Sequence, residues 1–394
     1  MKIGLGITGC IAAYKSVELI RLFQKRGDEV FPIITQNGLN FITELTLSSI
    51  SGNKTTTEMF SGVENWDVKH ISLARKIDVL LVAPATANII AKFANGIADD
   101  FLSTLYLSFE GKVVIAPAMN KSMWSHPATK RNVEILKERG NIIVNPESGY
   151  LACKEEGEGR LADLEKILNY THYAFSKKDF KGKIIIITAG ATREFIDPIR
   201  FITNRSSGKM GISLAREFWL RGGEVILIKG KNTPDVKFDI EVIECESAED
   251  MFKKTVENFS RCDICIMAAA VSDYTPLRRE SEKIKKNSET LNLKLKRTTD
   301  ILKELSKIKK KNQILIGFAA ETENLKTNAQ KKLKSKNLDF IVLNDVKRKD
   351  IGFESDENEI SILFKDGREK FFKKSKKEII AKYIVDEIKN IGEK

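Results

Sequence analysis

The sequence predicts an α/β protein built as two doubly wound parallel-sheet units in series. Three observations carry this. Apolar, β-branched runs alternate with stretches of helical periodicity, the same order restarts after about residue 180, and 394 residues suffice for two or three domains that each bury a core.

The first unit opens with "KIGLGITG", a strand-like run ending in Gly9, followed by "IAAYKSVELIRLFQKRG", whose apolar residues recur at helical spacing and which stops at Gly27. Further strands are expected at "VFPIIT", "DVLLVAPA", "KVVIAPAM" and "NIIVNP", with helical stretches between most of them. After the polar stretch "FSKKDFKGK" (175–183) the pattern begins again. "KIIIITAG" is a second first strand, "SGKMGISLAREFWLRGG" a second first helix and "EVILIKG" the next strand. "CDICIMAAA", "QILIGFAAET" and "LDFIVLND" follow, then a hairpin around "KDG" (365–367) and a closing helix from about Ser375. The expected domains are residues 1–178 and 179–394, both of flavodoxin-like or Rossmann-like type. Ligands of such sheets bind beyond the carboxyl ends of the strands, so chemistry is expected at the strand-to-helix junctions.

Composition excludes several classes. A hydrophobic content of 42% with 30% charged residues is that of a globular protein, and no run approaches the roughly 18 apolar residues of a membrane span. The opening run is too short for a signal peptide, which makes the cytoplasm the expected location. Five cysteines at 10, 153, 245, 262 and 265 fit no disulfide framework. Cys262 and Cys265 form a CxxC, but inside a buried-strand pattern and with three histidines in the whole chain, so buried thiols are expected rather than zinc. Residues 1–180 hold 21 Lys and Arg against 20 Asp and Glu, whereas residues 181–394 hold 45 against 34. The second half thus carries nearly all of the +12 net charge. A phosphorylated ligand or a merely lysine-rich composition accounts for that excess; nucleic acid is disfavoured, because basic runs such as "KIKKK" lack interleaved aromatics.

At the first junction, Thr8 and Gly9 stand at the mouth of a helix, where free N–H groups suit a phosphate. "APATANIIAKFANGIADD" (83–100) and "APAMNKSMW" (116–124) are two similar strand ends that run into a Pro-Ala turn with a small polar residue, Thr86 in one and Asn120 in the other. A proline that merely stops a strand explains one such end more readily than two.

These motifs, with "KHISLA", "GIADD" and "LACKEEGEGR", resemble the flavin-dependent phosphopantothenoylcysteine decarboxylases. The resemblance continues through the second half, to the bifunctional bacterial proteins that also carry a phosphopantothenate–cysteine ligase. For the first half it implies FMN held by Thr8, Gly9, Thr35 and Thr86, with Phe41 as a further contact candidate. It also implies oxidation of the substrate thiol, loss of carbon dioxide from the resulting thioaldehyde and reduction of the enethiol. His70 suits acid/base work near neutral pH, Asn120 can grip a carboxylate, and Cys153 can donate the late proton. His126 and His172 are read as structural. Two residues depart from the family pattern: Cys10 where a second glycine is usual, and Lys154 where glycine is common.

For the second half the resemblance implies that CTP activates the carboxylate of 4'-phosphopantothenate as an acyl-cytidylate, from which the cysteine amine displaces CMP. The nucleotide contacts it implies are Asp273 in "AAAVSDY", Lys283 in "EKIKK", Thr299, Asp300, Ile301 and Leu302 in "TTDIL", Phe318 in "GFAAET", and Lys332 and Lys336 in "KKLKSKNLD". Lys332 and Lys336 share one helix face at i, i+4. "ITNRSSGKMG" (202–211) resembles a Walker A loop but has Thr203 and Met210 where glycine and a hydroxyl residue are needed. It offers Asn204 to the activated acyl group, with Ser206, Ser207 and Lys209 as supporting donors. Mg2+ is expected with CTP, although no dedicated carboxylate cage is visible. The resemblance also implies homo-oligomers, a trimer-based decarboxylase shell with paired ligase domains. A flavin-binding regulatory protein without turnover, and a decarboxylase acting on peptidyl cysteine, are the competing readings.

Overall fold

A computed structural model describes residues 1–59, 68–150, 155–285, 289–321, 325–345 and 355–392. By internal contacts the chain divides into two compact units, Met1–Ser176 and Lys177–Lys394.

The first unit is a five-stranded parallel sheet of β1 (Lys2–Ile7), β2 (Glu29–Ile34), β3 (Val79–Ala85), β4 (Lys112–Pro117) and β5 (Ile142–Ile143), in the order β2-β1-β3-β4-β5. Every residue of β3 is buried, as a strand covered on both faces requires. Pro32 is accommodated because β2 is an edge strand, where a missing N–H breaks no ladder. One face of the sheet packs Ile3, Leu5, Val79 and Val114 against Leu19, Ile20 and Phe23 of the helix Ser16–Lys25 and Ile167 and Leu168 of the helix Leu164–Phe175. The other packs Leu80, Val82 and Ile115 against Ile89, Ile90 and Phe93 of the helix Ala87–Asn95. Phe23 and Phe93 are fully buried, and truncating either to alanine would cost about 3–5 kcal/mol. The expected strand "NIIVNP" contributes only two residues. The chain then leaves the sheet and forms an antiparallel ribbon of β6 (Glu147–Tyr150) and β7 (Glu156–Arg160).

The second unit is an eight-stranded sheet. Its strands are β8 (Ile184–Ala189), β11 (Glu224–Gly230), β12 (Glu241–Cys245), β13 (Ile264–Met267), β16 (Ile314–Glu321), β17 (Phe340–Asp345), β18 (Glu357–Phe364) and β19 (Glu369–Lys376). Two short antiparallel arms lie outside it, β9 (Arg193–Phe195) with β10 (Phe201–Thr203) and β14 (Tyr274–Pro276) with β15 (Leu295–Arg297). The order β12-β11-β8-β13-β16-β17-β18-β19 reverses direction between β8 and β13. The first six strands are parallel, as expected; β18 and β19 are antiparallel additions, the hairpin anticipated around residues 365–367. The hairpin ends on the lysine-rich "EKFFKKSK", a composition that discourages further pairing at an edge.

Cys245, Cys262 and Cys265 are buried in this core. Burial pushes the thiols of Cys245 and Cys262 up to about 12, and that of Cys265 well above its ordinary value. Among the described residues no group of three His, Cys, Asp or Glu could hold a metal ion, and no helix is long and apolar enough to cross a membrane.

Candidate functional site

In the first unit the strand order reverses between β1 and β3, and the two junctions are tied together there. Thr8, 2% exposed, donates its hydroxyl to the Pro84 carbonyl at 2.7 Å and accepts the Thr86 N–H at 3.0 Å. Thr86 caps the helix Ala87–Asn95, its hydroxyl accepting from the Ile89 N–H. Thr35 follows β2, where its hydroxyl and carbonyl both receive the Gly38 N–H. A Cβ on Gly9 would lie 2.6 Å from Asn37 Cβ and 2.8 Å from its carbonyl carbon, so only glycine lets these two loops approach. The junctions after β1, β2 and β3 therefore form one cradle of small polar residues. Cys10 sits in it with an extended backbone, which carries a side chain without strain, and burial raises its thiol. Phe41 is 43% exposed.

Asn120 follows β4 and caps the helix Lys121–Ser125 by accepting the Ser122 N–H at 2.8 Å. The Met119 N–H donates to the Gly159 carbonyl on β7, which pins the ribbon against this turn, and Lys121 pairs with Glu155 at 3.4 Å. Cys153 and Lys154 fall between β6 and β7 in sequence and lie outside the described residues. His70 is the second residue of the helix Lys69–Lys76. That helix leads through two residues into the start of β3, so its own first turn lies toward the carboxyl edge of the sheet. The remaining histidines have structural partners. His126 accepts the Ala128 N–H through Nδ1, and His172 Nε2 lies 2.7 Å from Asp28. The paired acids of "GIADD" serve the scaffold: Asp100 caps the helix Phe101–Ser108, and both Asp99 and Asp100 bind Lys92.

The second unit holds a cavity of about 720 Å³ at the carboxyl ends of its strands. It is lined by Asn204, Asp273, Thr299, Asp300, Ile301, Leu302, Phe318, Lys332 and Lys336, nine of the ten nucleotide or acyl contacts expected from sequence. The loop Asn204–Gly208 forms one wall. Asn204 Nδ2 donates to the Ala270 and Val271 carbonyls, both at 3.2 Å, and so fastens the loop to the segment after β13. Gly208, with φ +73°, opens the helix Lys209–Leu220, whose first N–H groups have no carbonyl partner within the helix. The segment after β13 is itself held to the turn after β8, through Ala270 N–H to the Gly190 carbonyl and Ser272 N–H to Thr192 Oγ1. Asp300 also has a structural task, capping the helix Ile301–Ile308 and pairing with Lys336 at 2.8 Å.

Lys283 is the exception. It is exposed and does not line the cavity, next to Ile284, which Arg200 and Asp197 hold by its carbonyl and N–H. Conversely, Arg297, Asn344, Asn358 and Lys377 line the cavity and were not anticipated. For Lys377 a signal existed: Ile380, Ala381, Ile384 and Ile388 are buried at helical spacing from it, which puts position 377 on the inward face.

Comparison with known proteins matches these two units separately. A family model described as "Flavoprotein" matches residues 1–176, and one described as "DNA/pantothenate metabolism flavoprotein C-terminal domain" matches residues 180–391. The coenzyme A biosynthesis bifunctional protein CoaBC of Bacillus subtilis is 44% identical over 93% of this chain and 91% of its own. The protein of the same name from Haemophilus influenzae is 40% identical over 98% and 96%. A cysteine/cysteine sulfinic acid decarboxylase from an unknown prokaryotic organism is 47% identical over 87% and 98%. With relatives this similar along both units, the chain belongs to the family of bifunctional coenzyme A biosynthesis proteins that join a flavoprotein domain to a pantothenate-metabolism domain.

Proposed function

We propose that residues 179–394 join cysteine to 4'-phosphopantothenate using CTP, releasing CMP and diphosphate, and that residues 1–178 decarboxylate the phosphopantothenoylcysteine to 4'-phosphopantetheine with FMN. The observation that carries the reading is the cavity in which Asn204, Asp273, the segment 299–302, Phe318, Lys332 and Lys336 meet from separate parts of the chain.

An ionised carboxylate and an amine do not condense unaided, so the acid must first be activated. Its oxygen attacks the α-phosphorus of CTP, diphosphate leaves, and the acyl-cytidylate then loses CMP to the cysteine amine. Asn204 supports the acyl group and, through its bonds to Ala270 and Val271, holds the loop that opens onto the helix N-terminus. Asp273 and the 299–302 segment receive the nucleoside, and Lys332 and Lys336 supply charge. Mg2+ arrives with the triphosphate, since the described residues offer no cage of carboxylates for it.

In the first unit the cradle of Thr8, Gly9, Thr35 and Thr86 fits a flavin mononucleotide: small residues, hydroxyl groups and helix N-termini converge where Gly9 leaves no room for a Cβ. FMN would supply a reversible two-electron acceptor there. His70 moves a proton to or from the substrate, Asn120 orients its carboxylate, and Cys153 protonates the enethiolate. Cytoplasmic location and assembly into homo-oligomers, a trimer-based shell with paired ligase domains, complete the reading.

The test is incubation of the purified protein with 4'-phosphopantothenate, cysteine and CTP. Release of diphosphate and carbon dioxide with formation of 4'-phosphopantetheine is expected; release of neither sinks the reading. Carbon dioxide from free cysteine alone would favour instead the activity named for the third relative.

A further inference from the structure

Three substrates meet in the cavity of the second unit, and the residues assigned so far serve two of them, the nucleotide and the acyl group. Cysteine brings an amine and, on the same carbon, a carboxylate. A carboxylate entering a cavity calls for a cation that no other acid already holds. Six cations line this one: Arg205, Lys209, Arg297, Lys332, Lys336 and Lys377. Lys209 pairs with Asp356 at 2.5 Å and Lys336 with Asp300 at 2.8 Å, and Lys332 and Lys377 are engaged as well. Among the described residues, the guanidinium groups of Arg205 and Arg297 alone of the six have no hydrogen bond, ion pair or ring contact.

Arg205 occupies the apex of a three-residue turn. The Ser206 N–H donates to the Asn204 carbonyl at 2.9 Å and closes the turn around it, while Asn204 Nδ2 hangs the turn from the Ala270 and Val271 carbonyls, both at 3.2 Å. The backbone of Arg205 is therefore fixed, and its side chain is exposed and uncommitted. Arg297 belongs to another part of the wall. It stands on β15 opposite Tyr274, two residues before the segment 299–302 proposed to receive the nucleoside. Arg297 is thus on the nucleotide side, and Arg205, next to Asn204, on the acyl side.

We propose that Arg205 binds the α-carboxylate of the incoming cysteine and so determines which amine the ligation accepts. The inference rests on the ligation proposed above, in which Asn204 supports the acyl group. The attacking nitrogen must reach the acyl carbon, and the carboxylate is borne on the carbon next to that nitrogen. The anion therefore arrives beside the residue that adjoins Asn204. A guanidinium offers a planar fork of donors that a carboxylate fills in bidentate fashion, which an ammonium does not. The other anion still without a contact is the phosphate of 4'-phosphopantothenate, but it lies at the opposite end of that molecule from the carboxylate being activated. Arg205 makes and breaks no bond; by holding one end of the amino acid it orients the other.

The experiment uses the full chain and compares cysteine with cysteamine, which has the thiol and the amine but no carboxylate. CMP release is read at saturating CTP and 4'-phosphopantothenate, and wild type is expected to prefer cysteine. Arg205→Met is expected to lower kcat/KM for cysteine about tenfold or more, mainly through KM, and that for cysteamine less than about twofold. Arg205→Lys, which keeps the charge and loses the fork, is expected to recover part of the loss. A single turnover of diphosphate release without cysteine is expected to stay within about twofold of wild type in both variants, which also reports that they are folded. Equal losses for the two amines, no preference in wild type, unchanged use of cysteine by Arg205→Met, or an equal loss for cysteine in Arg297→Met overturns the inference while the activation reading stands. A raised KM for 4'-phosphopantothenate without one for cysteine would assign Arg205 to the phosphate and overturns it too. A wild-type protein that releases no diphosphate from CTP overturns the activation reading first.

Discussion

Replacing Thr8 by valine keeps the shape of a buried side chain and removes both hydrogen bonds of its hydroxyl. The Pro84 carbonyl loses a donor at 2.7 Å and the Thr86 N–H loses an acceptor at 3.0 Å. Each buried group left unpaired costs about 1–3 kcal/mol, with the partly buried Thr86 N–H at the lower end, for a total of about 2–4 kcal/mol. A domain of this size loses roughly 2–4 °C in Tm per kcal/mol, so the first unit is expected to melt roughly 5–15 °C lower. The measurement is the temperature at which flavin fluorescence is released on heating, beside the flavin content of the purified variant. Thr8→Ser keeps both bonds and loses one methyl group, so it should cost about 1 kcal/mol. A valine variant releasing flavin within 2 °C of wild type, or a serine variant as damaged as the valine one, would show that the link between the two junctions does not hold the site together.

Three other outcomes are expected. Cys153→Ser releases carbon dioxide but stalls before the reduced product, as mass spectrometry of the products would reveal; normal 4'-phosphopantetheine formation contradicts the role given to Cys153. Asn204→Asp still releases diphosphate from CTP but loses most amide formation, because a carboxylate cannot donate to the Ala270 and Val271 carbonyls; unimpaired ligation refutes this. Asp179 is held down to about 2, first by its hydrogen bonds to Arg221 and then, against some desolvation, by Lys389. A lowered carboxylate stabilises the fold above its unfolded-state value near 3.8 and loses that contribution as the pH falls through 2. Asp179→Asn should therefore cost about 1–2 kcal/mol at neutral pH, allowing for solvent screening, and nothing below about pH 2. Parallel denaturation curves across that range check it.

The strand-to-helix junctions were legible in the sequence because a parallel strand announces itself twice, by an apolar run and by the small polar residue that ends it. Thr8, Thr86 and Asn120 sit where that rule puts them, whereas Asn204 follows the antiparallel arm β9–β10. What the sequence hid was convergence from remote elements. Asn344 and Asn358 end or begin strands that look like any others, and Lys377 stands in "KKSKKE", where composition cannot tell a buried lysine from a solvated one. The helical spacing of the isoleucines behind it could have done so. Lys283 stands apart: its motif singled it out, and in this chain it is exposed and does not line the cavity. The two-residue β5 shows a related limit, since an apolar run does not reveal how much of it a sheet can use.

The hairpin β18–β19, whose second strand forms the lysine-rich edge of the sheet, is also a ruler. β18 begins beside Asp356 at the carboxyl edge, runs to the turn at Asp366 and Gly367, and β19 returns to deliver Lys377 directly into its helix. The Lys377 N–H meets the Asp356 carbonyl at 2.9 Å because the pairing of the two arms, with its one register shift between Asn358 and Ile360, brings those ends together. A slip of two residues would keep every side chain on its own face yet move one arm about 7 Å past the other. The turn that sets this count lies some eight residues away, roughly 27 Å along the strand. Insertions or deletions at that remote, exposed turn would therefore be felt at the cavity wall that Lys377 and Asn358 line before they are felt as lost stability, so loop length there is coupled to the shape of the cavity.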